Sequence, residues 1–283
     1  MKINLGAGPN WKHDGWHVLD YKVEKNDKFR IKGDLNKINL KNKSCDVVFI
    51  SHTLEHIPHI QIQRVLTEIN RIMKAGATIR ILVPNIEVIA KAYVKKDKKF
   101  FKKALDEDHS IRTDLGFGGM LMNFIVSPGQ DTILIDRNLK KFIAGYAHLY
   151  AYDFSMMKIL LKKCGFKNIT KKKFCDSKIK DFKIPCHIYG KSPKYHNLNN
   201  KFYAKNNLIH EYKNGKYRIN FKFTGFDKDP ITSLIIEAKK DRYKKISKLN
   251  DINDSNKNYN NYAFSLLSNK NVKTSLSRKK IKF

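Results

Sequence analysis

The chain contains no run of about eighteen apolar residues, and no basic segment followed by an apolar one opens it. The first absence excludes a hydrophobic membrane-spanning helix, and the second leads us to expect a cytoplasmic protein. Cysteine is scarce: Cys45, Cys164, Cys175 and Cys186 form no C-x-x-C pair, which suits reduced, inert thiols and gives none of them a catalytic role. Acidic residues are few, 26 against 57 Lys and Arg, for a formal net charge of +31. A surface this basic binds polyphosphates non-specifically at low salt, but it does not single out a nucleic-acid substrate. Lysine greatly outnumbers arginine, and asparagine, isoleucine, phenylalanine and tyrosine are plentiful, a set that A- and T-rich coding bias produces with no selected partner. The lysines are spread through every segment instead of being interleaved with aromatics as in a single-strand channel. There is no internal repeat.

What is present is enough for a core: 283 residues with 41% hydrophobic content. We expect one α/β domain over residues 1–240, with an insertion or lid at about 86–150, and a basic tail over 241–283 that is sparse in apolar residues and suited to mobility. The chain is organised around residues 3–20, INLGAGPNWKHDGWHVLD. Gly6 and Gly8 end a short apolar strand, so backbone N–H groups there approach a ligand with no Cβ in the way. Asp20 ends a second strand, where a doubly wound nucleotide fold places the carboxylate that accepts from ribose hydroxyls. Between Gly8 and Trp16 there is room only for a turn. Gly33-Asp34-Leu35 marks a possible third strand edge. Residues 45–51, CDVVFIS, predict a central strand buried on both faces. Ile62, Val65, Leu66, Ile69, Ile72 and Met73 form a helical stripe that Lys74-Ala75-Gly76 ends, and residues 78–83 predict the next strand. Residues 86–93 read as an amphipathic helix, residues 95–103 as a lysine-rich face, and the glycine-rich LGFGGMLMNFIVSPGQD as a loop roofing the acceptor.

These segments resemble the class I S-adenosylmethionine-dependent methyltransferases, more closely a small bacterial-type branch. Its motifs L-G-x-G, G-W-x-x-x-D, D-V-V-x-x-S-H-x-L-E-H, L-x-E-x-x-R-x-x-K-x-G-G and x-V-P-x are matched at residues 5–8, 15–20, 46–56, 66–76 and 82–85. A further Y-D-x-x-x-L-x-x-L-L-x-x-x-G-F matches from Tyr152 to Phe166, and residues 233–239 look like the family's last strand. The resemblance implies a Rossmann-like, mostly parallel sheet with helices on both faces and one late antiparallel strand. It implies S-adenosylmethionine as cofactor, with Gly6, Ala7 and Gly8 under its methionine end, Asp20 on the ribose, Asp34 and Leu35 flanking the adenine, and Ser51 with His52 lining the floor. Asn10 stands where the family has glycine, and Ala77 replaces the second glycine of G-G. His148 is similar to a histidine the family keeps near its active site. His56 and His148 are the candidates for a general base, needed only if the acceptor must lose a proton.

The acceptor implied is a small molecule or a sugar. An RNA methyltransferase, or a non-catalytic module that binds the cofactor or RNA, stays open. His52, Glu55 and His56 also spell H-x-x-E-H, a zinc signature when it lies on a helix. A strand-to-helix turn followed by Pro58 is the wrong context, so we expect no metal there and a structural Glu55.

Overall fold

The computed structural model describes residues 1–8, 11–21, 23, 28–107, 115–126, 133–136, 141–144, 147–185, 209–211, 217–219 and 225–241. Asn10, Cys186 and nearly all of the predicted tail lie outside them.

Seven strands form one sheet: β1 (Lys2–Leu5), β2 (Trp16–Asp20), β3 (Arg30–Lys32), β4 (Cys45–Ser51), β5 (Met73–Pro84), β8 (Phe166–Lys172) and β11 (Ser233–Lys240), in the order β3-β2-β1-β4-β5-β11-β8. β1 through β5 are mutually parallel where they pair, and β11 runs antiparallel to both β5 and β8. This is the Rossmann-like, mostly parallel arrangement expected, with the late antiparallel strand at 233–240. The predicted central strand is central, because Cys45, Val48, Phe49 and Ile50 are all buried. The described residues 11–15, between the glycine turn and β2, contain no helix.

The helical stripe folds as α1 (Ile62–Ile72), whose Ile62, Val65, Leu66, Ile69 and Ile72 are fully buried. The helix stops short of the predicted glycine. Met73 already belongs to β5, pairing with Cys45, and Gly76 takes positive φ at +74° beside a register shift in the β4–β5 ladder. Lys240 explains the early stop in part: its buried ammonium donates to the carbonyls of Asn70 (2.6 Å) and Met73 (2.7 Å), satisfying the helix's C-terminal acceptors.

Within the insertion, α2 (Ile86–Val94) and α3 (Lys98–Glu107) occupy the segments read as an amphipathic helix and a lysine-rich face. The glycine-rich stretch corrects the prediction: Gly116–Val126 is a helix, α4. Only Gly116 uses the left-handed φ that glycine permits (+61°). The remaining sequence is apolar enough to pack, and Met120 and Phe124 join Ile89, Ala92, Phe101 and Ala104 in a separate small core. Tertiary burial outweighs the weak helix propensity of glycine here. Two antiparallel pairs complete the described strands: β6 (Ile133–Asp136) with β7 (Lys141–Ala144), and β9 (Ile209–Glu211) with β10 (Tyr217–Ile219). α5 (Phe154–Lys163) starts at Asp153, whose carboxylate caps Met156 N at 2.7 Å, and ends before Gly165 at φ +82°.

A buried, paired charge lies inside this frame. Arg80, in the middle of β5, donates to Asp227 Oδ1 (2.7 Å) and Oδ2 (2.5 Å), to Glu237 Oε1 (2.6 Å) and to the carbonyl of Asp176 (3.1 Å). Burial alone would lower its pKa, but the two carboxylates raise it, so the guanidinium stays charged. It lies 5.4 Å from the ring of Phe182, in an aromatic core with Trp11, Trp16, Phe49 and Phe226.

Candidate functional site

The parallel registers bring the carboxyl ends of the first four strands together. Leu5 stands beside Leu19 and Ile50, and Asp20 beside Lys32, so the turns that follow β1, β2, β3 and β4 share one edge of the sheet. In doubly wound folds that edge is where ligands bind.

The glycine turn is held from two sides. Gly6 N donates to the Leu19 carbonyl at 2.8 Å, and Gly8 N donates to Asp20 Oδ2 at 2.8 Å. Both glycines have positive φ, +70° and +74°. A Cβ on Gly6 would lie 2.3 Å from Thr53 Cγ2, whereas one on Gly8 would meet nothing within 4 Å. Gly6 is therefore required by packing, and Gly8 opens onto free space. Thr53, which sequence reading passed over, ties the turn to the end of β4: its hydroxyl lies 3.2 Å from the Gly6 carbonyl and 3.0 Å from that of Ser51. Ala7 packs against the aromatic core. Gly33 N donates to the Asp20 carbonyl (3.3 Å), which seats Asp34 and Leu35 one turn beyond the end of β3. The exposed Asp34 accepts from Asn36 N at 2.8 Å. The residues present fit a nucleoside cofactor: open space over Gly8, a carboxylate at the end of the second strand, and a buried Ser51 hydroxyl with no hydrogen-bond partner at the end of the fourth.

A second cluster begins one turn further along. After Ser51 the chain takes a left-handed step at His52 (φ +47°), then a single 3-10 turn at Leu54–His56. The α-helix that an H-x-x-E-H zinc site needs is absent from these described residues. His52 instead turns toward the start of β11, with Nε2 2.9 Å from Ser233 Oγ and 3.5 Å from Asp229 Oδ2. His56 turns toward the far end of the insertion. Leu149 N and Tyr150 N donate to the Glu55 carbonyl (2.7 and 3.2 Å), bringing His148 against His56 with ring centroids 5.0 Å apart. Both imidazoles are oriented alike, His56 Nδ1 lying 2.9 Å from the Ala147 carbonyl and His148 Nδ1 2.9 Å from that of Phe124. A carbonyl only accepts, so each Nδ1 carries the hydrogen and each Nε2 keeps its lone pair. Burial lowers both histidine pKa values, against the opposing pull of Glu55, and keeps the rings neutral near pH 7. Glu55 is fully buried, and burial pushes its carboxyl up. Neither carboxylate oxygen accepts a hydrogen bond, and His52 Nδ1, at 3.2 Å, is close without hydrogen-bond alignment.

A glycine turn at the end of the first strand and a carboxylate at the end of the second, on this sheet order, define a Rossmann-like nucleotide-cofactor fold. Residues 16–81 match the family model of a methyltransferase domain. Similar solved structures include an S-adenosylmethionine-dependent methyltransferase from Methanosarcina mazei, with 11% identity, covering 85% of this chain and 92% of that one, at a TM-score of 0.40. Another is from Archaeoglobus fulgidus, with 17% identity, 84% and 85% coverage and a TM-score of 0.37. A third is human N-acetylserotonin methyltransferase in complex with S-adenosylmethionine, with 10% identity, 85% and 47% coverage and a TM-score of 0.38. No curated protein sequence matches the chain.

Proposed function

We propose that this enzyme transfers the methyl group to a small-molecule or glycan acceptor in the cytoplasm, with residues 1–240 as the catalytic domain. Gly6, Ala7 and Gly8 pass beneath the methionine end of the cofactor, Asp20 accepts from its ribose, Asp34 and Leu35 flank its base, and Ser51 and His52 form the floor. The observation that carries this reading is the bond from Gly8 N to Asp20 Oδ2, which presets the turn and the carboxylate as one unit before any ligand arrives.

When bound, the cofactor supplies a sulfonium-activated methyl group. The chain's own contribution is orientation, which for well-aligned groups lowers a barrier by about 7–11 kcal/mol. His56 and His148 face the acceptor, and their Nε2 lone pairs take its proton where a hydroxyl or amine must lose one, a contribution of about 100- to 10,000-fold. The acceptor class is supported by enclosure. Glu55 is buried, both histidines are partly buried, and Leu149 N and Tyr150 N bond the Glu55 carbonyl beside them, a setting that suits an acceptor small enough, or ending in a group narrow enough, to reach the imidazoles. The test is transfer from labelled cofactor to fractionated metabolites, sugars, RNA and DNA at moderate salt. Label should appear in the metabolite or sugar fraction. Label confined to nucleic acid would replace this reading with an RNA or DNA methyltransferase.

A further inference from the structure

Glu55, His56 and His148 form a group that the H-x-x-E-H motif does not describe, since it leaves out His52 and takes its third member from 92 residues downstream. One carboxylate oxygen of Glu55 and one ring nitrogen from each histidine lie within 4.8 Å of one another. We propose that these three residues bind a divalent transition-metal ion, zinc or ferrous iron in chemical preference, with coordination positions left open toward the acceptor.

Three independent features point there. First, the Glu55 carboxylate is wholly buried, yet neither oxygen accepts a hydrogen bond. A buried carboxylate is ordinarily paired, hydrogen-bonded or coordinated to metal. His52 Nδ1 stands 3.2 Å from Glu55 Oε1 while its Nε2 faces Ser233 and Asp229, and this leaves Oε2 of the carboxylate with no hydrogen-bond partner. Second, both imidazoles are anchored through Nδ1 to a backbone carbonyl. This is the outer-shell arrangement that fixes the tautomer and ring direction of metal-binding histidines. Third, the donor set of two imidazoles and one carboxylate suits zinc or ferrous iron better than magnesium or calcium, which prefer all-oxygen shells.

Ligand atoms around a tetrahedral zinc, at about 2.0–2.2 Å from the ion, stand about 3.4 Å apart. The metal would thus draw the three side chains inward by a small movement. Tyr152, whose buried hydroxyl has no hydrogen-bond partner, lies near enough to be influenced by the Glu55 charge and fits an outer-shell role. Three protein ligands leave at least one open position, the pattern of catalytic sites as opposed to structural ones. On the methyltransferase reading above, which this part of the inference rests on, that position takes a hydroxyl oxygen of the acceptor. The ion's charge would lower the pKa of that hydroxyl, whose proton would leave to solvent water in place of the two imidazoles, their Nε2 lone pairs then holding the metal.

The test uses the full chain, stripped with a chelator and titrated separately with Zn²⁺ and Co²⁺, following heat by calorimetry and the visible absorption of bound cobalt. One equivalent should bind per chain. Glu55→Gln and His148→Ala should each weaken it by more than about a hundredfold, since even outer-shell losses cost 10- to 100-fold, while His59→Ala should leave it unchanged. S-adenosylmethionine titration of the same variants keeps the two readings apart. Retained cofactor binding with lost metal supports the site, and loss of cofactor binding in unmutated protein would count against the methyltransferase reading alone. If His148→Ala misfolds, Glu55→Gln, which keeps the shape, carries the result. Absence of stoichiometric metal binding, equal binding in the variants, or binding abolished by His52→Ala and kept by His148→Ala would overturn the proposal.

Discussion

The glycine turn and the histidine turn lie at the same edge of one sheet but are built on opposite plans. At the glycine turn the polar groups answer one another: Gly8 N is met by Asp20, Gly6 N by Leu19, and Thr53 bridges to the neighbouring strand end. At the histidine turn a buried carboxylate accepts no hydrogen bond, while two imidazoles are held rigidly beside it. The first region is complete as a fold and open only above Gly8. The second is well oriented but polar groups are left unsatisfied, which is what a site reserved for a ligand looks like.

The largest effect expected comes from a buried charge that is answered. Arg80→Met strands Asp227 and Glu237 beside the aromatic core, and breaking such a pair costs about 3–5 kcal/mol. Urea unfolding should show this loss; a change below about 1 kcal/mol would mean that burial, and not pairing, governs stability here. Next comes Gly6→Ala, where a positive φ and a Cβ 2.3 Å from Thr53 combine. Strain and overpacking together should cost about 1–3 kcal/mol, while Gly8→Ala, with open space above it, should cost less. Equal losses at the two glycines would break the distinction drawn between them. Glu55→Gln sharpens the contrast from the other side. Removing an unanswered charge should leave metal-free stability within about 1 kcal/mol of the parent, or above it. A loss as large as that of Arg80→Met would show that Glu55 has a partner after all.

The smallest effect is acid sensitivity at Asp181. Burial raises this carboxyl, but Lys2 Nζ (2.6 Å) and Trp16 Nε1 (2.9 Å) outweigh it and hold the pKa below its ordinary 3.8. A lowered folded-state pKa contributes stability that is complete above the unfolded value and lost as pH falls below 3.8 through the folded value. Acid titration of unfolding should therefore show a shallower decline in Asp181→Asn, and identical profiles would remove Asp181 from the account.

The two regions also differ in how far the sequence disclosed them. The glycine turn was legible because its parts are local: Gly8 and Asp20 are twelve residues apart on adjacent strands, and strand patterning places both at one edge. β4, α1 and β11 were legible for the same reason, since their apolar periods reflect burial directly. The resemblance named His56 and His148, but their meeting with Glu55 was not legible, because it needs the insertion to fold back over 92 residues. The local spacing favoured the pair His52 and His56, and the chain's left-handed step at His52 sends the two rings apart. Arg80 had a visible signal, a lone arginine within an apolar strand, but its partners Asp227 and Glu237 lie in the last described stretch of the chain. The α4 helix was hidden by its glycines, whose propensity argues for a loop while their apolar neighbours supply the burial.

The most direct test of the central claim is calorimetric titration of S-adenosylmethionine into the parent protein and into Asp20→Ala. The parent should bind one equivalent. The variant should bind at least about tenfold more weakly, since a hydrogen bond to a charged group is worth about 1.5–3 kcal/mol. Unchanged affinity in Asp20→Ala would contradict the placement of the cofactor at the glycine turn.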